Sequence, residues 1–343
     1  MRRRLNSLLV VLGGFLVSLG ATSQELNLYS ARHYQTDEAL YSGFTRATGI
    51  RINRVDADDA GILARLRSEG SSSPADVILL VDAARLWRAE VDGLFQPVRS
   101  AMLESRVPGH LRGKDSAAGA SWFGLSTRAR VIVYDKKSVR AADVDTYEKL
   151  ADPKHKGKLC TRSGSHPYNL SLFGAVLEQL GPAATEVWLA GLVSNMARPP
   201  KGGDTDQIMA VASGECQIAL TNTYYLARLM RSVKAADRAA VESVGVIFPN
   251  QAGSGTHVNV AGAAIAKSAP HREAALKFLE YLVSDAAQLY FADGNNEWPV
   301  VKIQSSNPAL NAFGTFMSDP VPVSVIGMNQ IKIQQMLDRV GYK

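Results

Sequence analysis

Short apolar runs alternate with helical patterns along the chain, and this alternation limits the possible fold more than any other feature of the sequence. Residues 26–29 precede a helical pattern near 36–47, and residues 50–55 precede one near 59–69. A third unit of the same kind covers residues 75–91. Strands joined through helices of this length pair in parallel and are covered by those helices. The sequence therefore predicts an α/β protein with parallel-rich sheets.

The first 23 residues have the three-part layout of a secretory signal peptide. Three arginines follow Met1, an apolar stretch covers Leu8–Leu19, and small residues lead to a predicted cleavage site near Ser23. The apolar stretch is shorter than the roughly 20 residues of a membrane span, although a retained N-terminal anchor stays an alternative. We therefore predict that residues 1–23 are a signal peptide and that the mature chain is exported.

Removal of the predicted signal peptide also changes the charge of the chain. Residues 1–23 contain three arginines and no acidic residue, so the formal net charge would fall from +6 to +3. Charges of both signs are scattered along the rest of the chain, without a block of lysine or arginine. This distribution argues against a nucleic-acid partner.

Two long extended segments predict that the exported chain forms two lobes. About 320 residues remain, enough for two domains of about 100–200 residues each. Residues 122–134 form an extended pattern with no helix after it, which suits a strand that crosses between domains, and residues 244–248 could be the return crossing. With these two strands as a hinge, we expect a first lobe of residues 24–125 and 251–300 and a second lobe of residues 126–250 and 301–343.

Four tyrosines follow strand-like runs at points where helices begin. Tyr34 follows the first apolar run, and Tyr168 follows a later run across a loop of glycine, serine and proline. Tyr224 and Tyr225 directly follow the run at residues 217–220. In open parallel sheets, ligands gather beyond the carboxyl ends of the strands. We therefore expect one tyrosine from the first lobe and three from the second to face a common cleft.

A cluster of phenols favours a strongly polarising cation. A phenol has a reference pKa of about 10, so its ionisation at neutral pH costs about 4 kcal/mol and needs a metal to displace the proton. Fe(III) with four phenolates carries one negative charge, which Arg228, one helical turn beyond Tyr224, would offset. Fe(II) would leave two negative charges unless one phenol kept its proton. His33, beside Tyr34, could add a neutral nitrogen ligand. The alternative for these tyrosines is aromatic packing, or a stacking wall for a sugar or amine.

Five sequence segments together form a specific set: Tyr-Ser-Ala-Arg-His-Tyr (29–34), Ser-Pro-Ala-Asp-Val (73–77), Val-Asp-Ala-Ala-Arg-Leu-Trp-Arg-Ala-Glu (81–90), Arg-Ala-Arg-Val-Ile-Val-Tyr (128–134) and Asn-Thr-Tyr-Tyr-Leu-Ala-Arg (222–228). Through them, residues 25–300 resemble the periplasmic ferric-iron-binding proteins of bacterial ABC uptake systems, in the branch typical of cyanobacteria. The resemblance implies a two-lobed, transferrin-like type II periplasmic binding protein. In such a protein Tyr34, Tyr168, Tyr224 and Tyr225 would bind iron, with His33 as a possible further ligand. It also implies a periplasmic, monomeric receptor rather than an enzyme, which delivers Fe(III) to an inner-membrane ABC permease.

One position departs from the resemblance. A related branch supplies a carboxylate ligand just after the strand at residues 75–81, where this chain has Val81 followed by Asp82. We therefore expect no carboxylate ligand and interpret Asp82 as a helix N-cap. With four tyrosines available, an added anion such as carbonate is less necessary, and His33 or water would complete the coordination.

Several alternatives stay open from the sequence. A receptor of the same architecture for Fe(II) or for an organic solute would carry the same strand and helix pattern. An enzyme is disfavoured, because the sequence has no Gly-x-Ser-x-Gly, His-Glu-x-x-His or Gly-Lys-Ser/Thr motif. Cys160 and Cys216 each precede a candidate tyrosine by eight positions, which is compatible with a disulfide between neighbouring strands or with two free thiols.

Overall fold

The structure is a computed structural model that describes residues 24–32, 34 and 36–343. The predicted signal peptide and His33 therefore lie outside the described residues. Within these residues, no helix combines the length and the apolar character that a membrane span requires.

Strands and helices alternate along the first third of the chain, as the sequence predicts. The strands are β1 (Glu25–Ser30), β2 (Arg51–Asp56), β3 (Val77–Leu80), β4 (Phe95–Gln96), β5 (Asp115–Ser116), β6 (Gly119–Ala120), β7 (Phe123–Asp135), β8 (Leu159–Cys160), β9 (Ile218–Asn222), β10 (Val244–Ile247), β11 (Val258–Ala266) and β12 (Trp298–Pro299). The helices are α1 (Asp37–Thr48), α2 (Asp59–Glu69), α3 (Ala83–Val91), α4 (Ala101–Arg106), α5 (Pro167–Leu180), α6 (Pro182–Asn195), α7 (Asp204–Ser213), α8 (Thr223–Met230), α9 (Ala235–Ser243), α10 (Arg272–Leu282), α11 (Asp285–Asp293), α12 (Pro308–Ala312) and α13 (Val323–Val340).

The larger sheet has the strand order β2-β1-β3-β11-β7-β9-β8. Its outer pairs are parallel: β1 pairs with β2 and β3 at one end, and β8 pairs with β9 at the other. In the centre, β11 and β7 run antiparallel to their neighbours. Strand β3 is buried along its whole length and entirely apolar, which is typical of a strand covered on both faces. The result is the predicted α/β fold with two lobes.

Strand β7 crosses between the lobes, as its sequence predicts. Its first half pairs with β11 and residues 130–134 pair with β9. The predicted return crossing at residues 244–248 is wrong, because β10 pairs only with the second-lobe end of β7. The second hinge strand is β11, which joins β7 to β3. The sequences of β10 and β11 are both apolar, so the sequence alone does not show which of them crosses between the lobes. Their pairing with β7 does.

Each lobe has its own apolar core. In the first lobe Phe44 packs edge-on against Phe278, with ring centroids 4.9 Å apart. In the second lobe Phe173 packs against Trp188 at 5.5 Å. Cys160 and Cys216 form a buried disulfide there, with Cα atoms 5.9 Å apart, at neighbouring positions of β8 and the approach to β9. The bond ties together the two strands that lead to Tyr168 and to Tyr224.

Candidate metal centre

Three loops bring the candidate tyrosines to the same cleft. Tyr34 lies between β1 and α1, Tyr168 is the second residue of α5, and Tyr224 and Tyr225 lie in the first turn of α8. Successive residues of a helix diverge by about 100°, so neighbouring tyrosines at a helix start can both face one cleft. The expectation that tyrosines from both lobes lie together is therefore met by the structure.

The distances between the four rings define the cluster. The hydroxyl oxygens of Tyr168 and Tyr224 are 3.3 Å apart and share a hydrogen bond. The ring of Tyr34 lies edge-on to that of Tyr224, with centroids 5.8 Å apart across the cleft. The rings of Tyr224 and Tyr225 are 4.1 Å apart. A cavity of about 640 Å³ opens beside Tyr34 and Tyr168.

Burial keeps the phenols of Tyr34, Tyr168 and Tyr224 neutral. It raises the pKa of Tyr168 and of Tyr224, and the neighbouring phenols raise the pKa of Tyr224 further. Burial also raises the pKa of Tyr34 well above its usual value, followed by the effect of the Glu297 carboxylate. Because Tyr34, Tyr168 and Tyr224 carry no negative charge at neutral pH, a cation must displace their protons in order to bind to their oxygens.

Arginine side chains surround the phenols. Arg128 is buried, with its guanidinium carbon 5.4 Å from the ring centroid of Tyr168, and none of its three side-chain nitrogens has a hydrogen-bond partner among the described residues. Arg162 lies 5.2 Å from the same centroid. The predicted Arg228 lies 5.2 Å from the ring centroid of Tyr225 and donates to the Thr205 hydroxyl. These cations can balance phenolates that form beneath them.

An ion pair behind the cluster orients the two second-lobe loops. Arg130 pairs with Asp204 in the interior, and its guanidinium donates to Asn169, the residue after Tyr168, at 2.8 Å. Asp204 also accepts from the backbone N–H of Asn222, which precedes α8, at 2.7 Å. The start of α5 and the start of α8 are therefore held to the same buried charge pair.

Glu297 joins Tyr34 to the hinge. Its carboxylate accepts from the Tyr34 hydroxyl at 3.3 Å, from the Ser126 hydroxyl at 2.8 Å and from Arg32 at 3.1 Å. Burial opposes ionisation of this group, but the guanidinium groups of Arg32 and Arg128 outweigh burial and lower the pKa of Glu297. The carboxylate is therefore charged at neutral pH and holds the Tyr34 phenol in place.

Two histidines lie next to the candidate tyrosines, and the structure describes only one of them. His33 lies outside the described residues, and its role as a ligand stays a prediction. His166 is the N-cap of α5, where its Nδ1 accepts from the Tyr168 N–H at 3.2 Å. Burial, followed by the charge of Arg162, lowers the pKa of His166 to about 3, so the ring is neutral.

Carboxylates do not supply an obvious metal site. Asp82 is the N-cap of α3, as predicted, and its Oδ1 accepts from the backbone N–H groups of Ala84 and Arg85. Among residues 24–32, 34 and 36–343, no group of three or more His, Cys, Asp and Glu side chains could hold a metal ion. The cavity beside Tyr34 and Tyr168 is also lined by aspartates, but these do not form such a group: Asp37, Asp56, Asp58 and Asp59.

The sequence interpretation missed Arg128, Arg162 and Glu297. A signal for the first existed, because Arg128 and Arg130 lie two positions apart beside the apolar run 131–133 and therefore point to the same face of the strand. Two buried charges on one face of a strand indicate a functional surface. Glu297 gave no such signal, since its contacts come from residues far away in the chain.

Comparisons with known proteins agree with this geometry. The profile of the family described as bacterial extracellular solute-binding protein matches residues 39–311. Iron uptake protein A1 of Synechocystis sp. is 48% identical over 320 residues, which cover 93% of this chain and 88% of that protein. The structure of Trichodesmium IdiA (FutA) in complex with iron and citrate has 48% identity and a TM-score of 0.86, and the match covers 93% of this chain and all 100% of the other.

A third relative extends the comparison to lower identity. The ferric binding protein of Campylobacter jejuni is 38% identical, with a TM-score of 0.88, and the match covers 93% of this chain and 100% of that chain. The resemblance that the five sequence segments carry is thereby confirmed. The chain belongs to the bacterial extracellular solute-binding protein family, in the group of ferric-iron-binding proteins of bacterial iron-uptake systems.

Proposed function

We propose that this protein is a periplasmic receptor that binds Fe(III) between its two lobes through the phenolates of Tyr34, Tyr168, Tyr224 and Tyr225. The observation that supports this proposal best is the convergence of four phenols from three loops. Deprotonated phenol is a hard anionic ligand, and a trivalent cation is the kind of ion that displaces its proton. Relatives named for iron uptake and for ferric iron binding support the same cargo.

Charge balance supports the oxidation state. Fe(III) with four phenolates has one excess negative charge, and Arg128 supplies one buried positive charge beside Tyr168. Arg32 lies between two carboxylates and pairs with both Glu297 and Asp37, and Arg128 also stabilises the charge of Glu297. Fe(II) would leave a second negative charge, and its balance would fall to Arg162, which already pairs with Asp204, to the exposed Arg228, or to a retained proton. His33, or a water molecule, would complete the coordination.

Delivery to a transporter follows from the two-lobed architecture. Tyr34 and the second-lobe tyrosines can bind one ion together only when the lobes meet, so the metal stabilises the closed form. We propose that the closed, monomeric receptor docks on an inner-membrane ABC permease and catalyses no reaction itself. We also propose the lobes that the sequence predicts, residues 24–125 with 251–300 and residues 126–250 with 301–343, with β11 in place of residues 244–248 as the second crossing strand.

Visible absorption tests the proposed cargo. Ferric citrate added to the metal-free mature protein should give a phenolate-to-iron charge-transfer band that saturates at one iron per chain. The band should weaken or shift in Tyr224→Phe. Tyr281→Phe is the matched control, because Tyr281 lies outside the cluster and donates to a backbone carbonyl of α1. A folded protein that shows no band would refute the proposal. Tighter binding of Fe(II) than of Fe(III) in anaerobic titrations, followed by metal analysis because Fe(II) phenolate gives no comparable band, would reverse the oxidation state.

A further inference from the structure

The carboxylate of Asp82 makes four hydrogen bonds, and one of them crosses between the lobes. One oxygen caps α3 by accepting from Ala84 and Arg85 at 3.0 and 3.2 Å. The other accepts from the Ser171 hydroxyl at 2.8 Å and from the Asn259 side chain at 2.7 Å. A carboxylate has about four acceptor positions, so Asp82 has none left for a metal ion.

The partners of Asp82 belong to three different parts of the molecule. Asp82 itself begins α3 in the first lobe, Asn259 lies on hinge strand β11, and Ser171 lies on α5 in the second lobe. Ser171 is one helical turn beyond Tyr168, so both side chains lie on the same side of α5. The position of Asp82 relative to Ser171 therefore fixes the position of Tyr168 relative to the first lobe.

The surroundings of this hydrogen bond exclude water. Asp82 and Ser171 are each 0% exposed. Beside them Ala84 of α3 packs against Ala175 of α5 and Ile326 of α13. Farther along α3, Trp87 lies so close to Gly327 of α13 that a Cβ atom there would be 2.4 Å from the indole ring. Small residues thus allow α3 to lie directly on the two second-lobe helices.

We propose that Asp82 is a positioning residue, whose hydrogen bond to Ser171 stabilises the closed form and holds Tyr168 in reach of Tyr34. The inference rests on the proposed function. Where a related branch of the family is expected to place a carboxylate ligand, this chain uses the adjacent carboxylate to join the lobes.

The loss of this hydrogen bond affects the closed form selectively. In a closed molecule without the Ser171 hydroxyl, Oδ2 of Asp82 loses one of the two hydrogen bonds that it accepts. Water does not reach this oxygen to replace the lost donor, so the loss raises the free energy of the closed form. In an open molecule water replaces the partner of Asp82. A free Ser171 hydroxyl there can bond to the carbonyl four residues earlier in its own helix. Ser171→Ala therefore shifts the equilibrium toward the open form.

The test compares Ser171→Ala with Ser194→Ala in the mature protein. Ser194 also lies in a second-lobe helix, but its hydroxyl bonds only within that helix, to Ala190 at 3.0 Å. Ferric iron affinity is measured by competition with citrate, and iron release by loss of the visible band. Ser171→Ala should bind iron about ten-fold more weakly and release it faster, which corresponds to about 1.4 kcal/mol. Its band should keep the wild-type wavelength, because the ligands are unchanged, and Ser194→Ala should behave as wild type.

Small-angle X-ray scattering of the metal-free proteins separates this inference from the proposed function. If the wild-type protein gives no iron band, the proposed function fails, but Ser171→Ala should still have a larger radius of gyration than Ser194→Ala. Wild-type iron affinity and radius of gyration in Ser171→Ala would overturn the inference. A shifted band would overturn it as well, because Ser171 would then act on the ligands rather than on closure.

Discussion

The substitution Arg128→Met removes a buried positive charge while it keeps an unbranched side chain of similar reach. The guanidinium carbon lies 5.4 Å from the centroid of the Tyr168 ring, and we take this value as the separation between the guanidinium and the excess charge of an iron–phenolate centre. Coulomb's law with an effective dielectric constant of about 20 then gives about 3 kcal/mol for one excess negative charge, or about 100-fold in affinity. We therefore expect Arg128→Met to bind ferric iron about 100-fold more weakly.

The same substitution should leave the metal-free protein intact. No side-chain nitrogen of Arg128 has a hydrogen-bond partner among the residues that the structure describes, so little bonding is lost when the charge is removed. Burial of the guanidinium costs free energy in the folded state, and its attraction to the Glu297 carboxylate offsets part of that cost. The melting temperature of metal-free Arg128→Met should therefore stay close to that of the wild type. Arg140→Met is the control, since Arg140 is exposed on the second lobe and pairs only with Asp143 among the described residues.

Two measurements on the same samples decide the outcome. Citrate competition, followed through the visible band, gives the iron affinity, and thermal unfolding gives the stability of the metal-free form. Wild-type affinity in Arg128→Met would refute the charge argument. A parallel loss of affinity and of metal-free stability would mean that Arg128 acts through packing, which contradicts the proposed role.

Tyr225→Phe removes one phenol and should lower the iron affinity at least 10- to 100-fold, while the melting temperature of the metal-free protein stays unchanged. An unchanged affinity in citrate competition would show that Tyr225 is not a ligand. Iron affinity should rise between about pH 6 and 8, by up to one log unit per pH unit for each phenol that binds, and a flat profile would exclude proton displacement. Burial raises the pKa of Tyr34, Tyr168 and Tyr224 in the folded protein. Their contribution to stability is therefore complete below about pH 10 and is lost as the pH rises further, which denaturant unfolding at increasing alkaline pH would show. Replacement of both cysteines by alanine opens a disulfide across 56 residues and should lower the free energy of unfolding by about 4 kcal/mol in urea titrations.

The parts of the site that the sequence predicted are those that local rules determine. Strand ends that lead into helices converge at one edge of a parallel sheet, so Tyr34, Tyr168 and Tyr224 could be placed together without knowledge of any long-range contact. The N-cap of α3 was predictable in the same way, because an aspartate between a buried strand and a helix can accept hydrogen bonds from the first free N–H groups of that helix.

The parts that the sequence did not predict depend on pairing over long distances. Strand β11 rather than β10 completes the hinge, and only its register with β7 and β3 decides this. Glu297 reaches Tyr34 from a position 263 residues away in the chain. The hydrogen bond from Ser171 to Asp82 likewise joins residues 89 positions apart. Neither contact leaves a periodic pattern that sequence analysis could find.

A site made of neutral phenols has a different selectivity from one made of carboxylates. Carboxylates are already charged at neutral pH, so a cluster of them attracts calcium and magnesium as well as iron. Each phenol instead costs about 4 kcal/mol to ionise at pH 7 from its reference pKa, and burial increases this cost for Tyr34, Tyr168 and Tyr224. A hard divalent ion that binds few phenolates cannot offset that cost, whereas a trivalent ion can. Arg128 strengthens the distinction, because its buried charge repels a cation until phenolates have formed around it. The site therefore selects trivalent over divalent cations through the free energy that the ion must supply to displace phenol protons. After the phenolates have formed, the arginines balance the remaining negative charge.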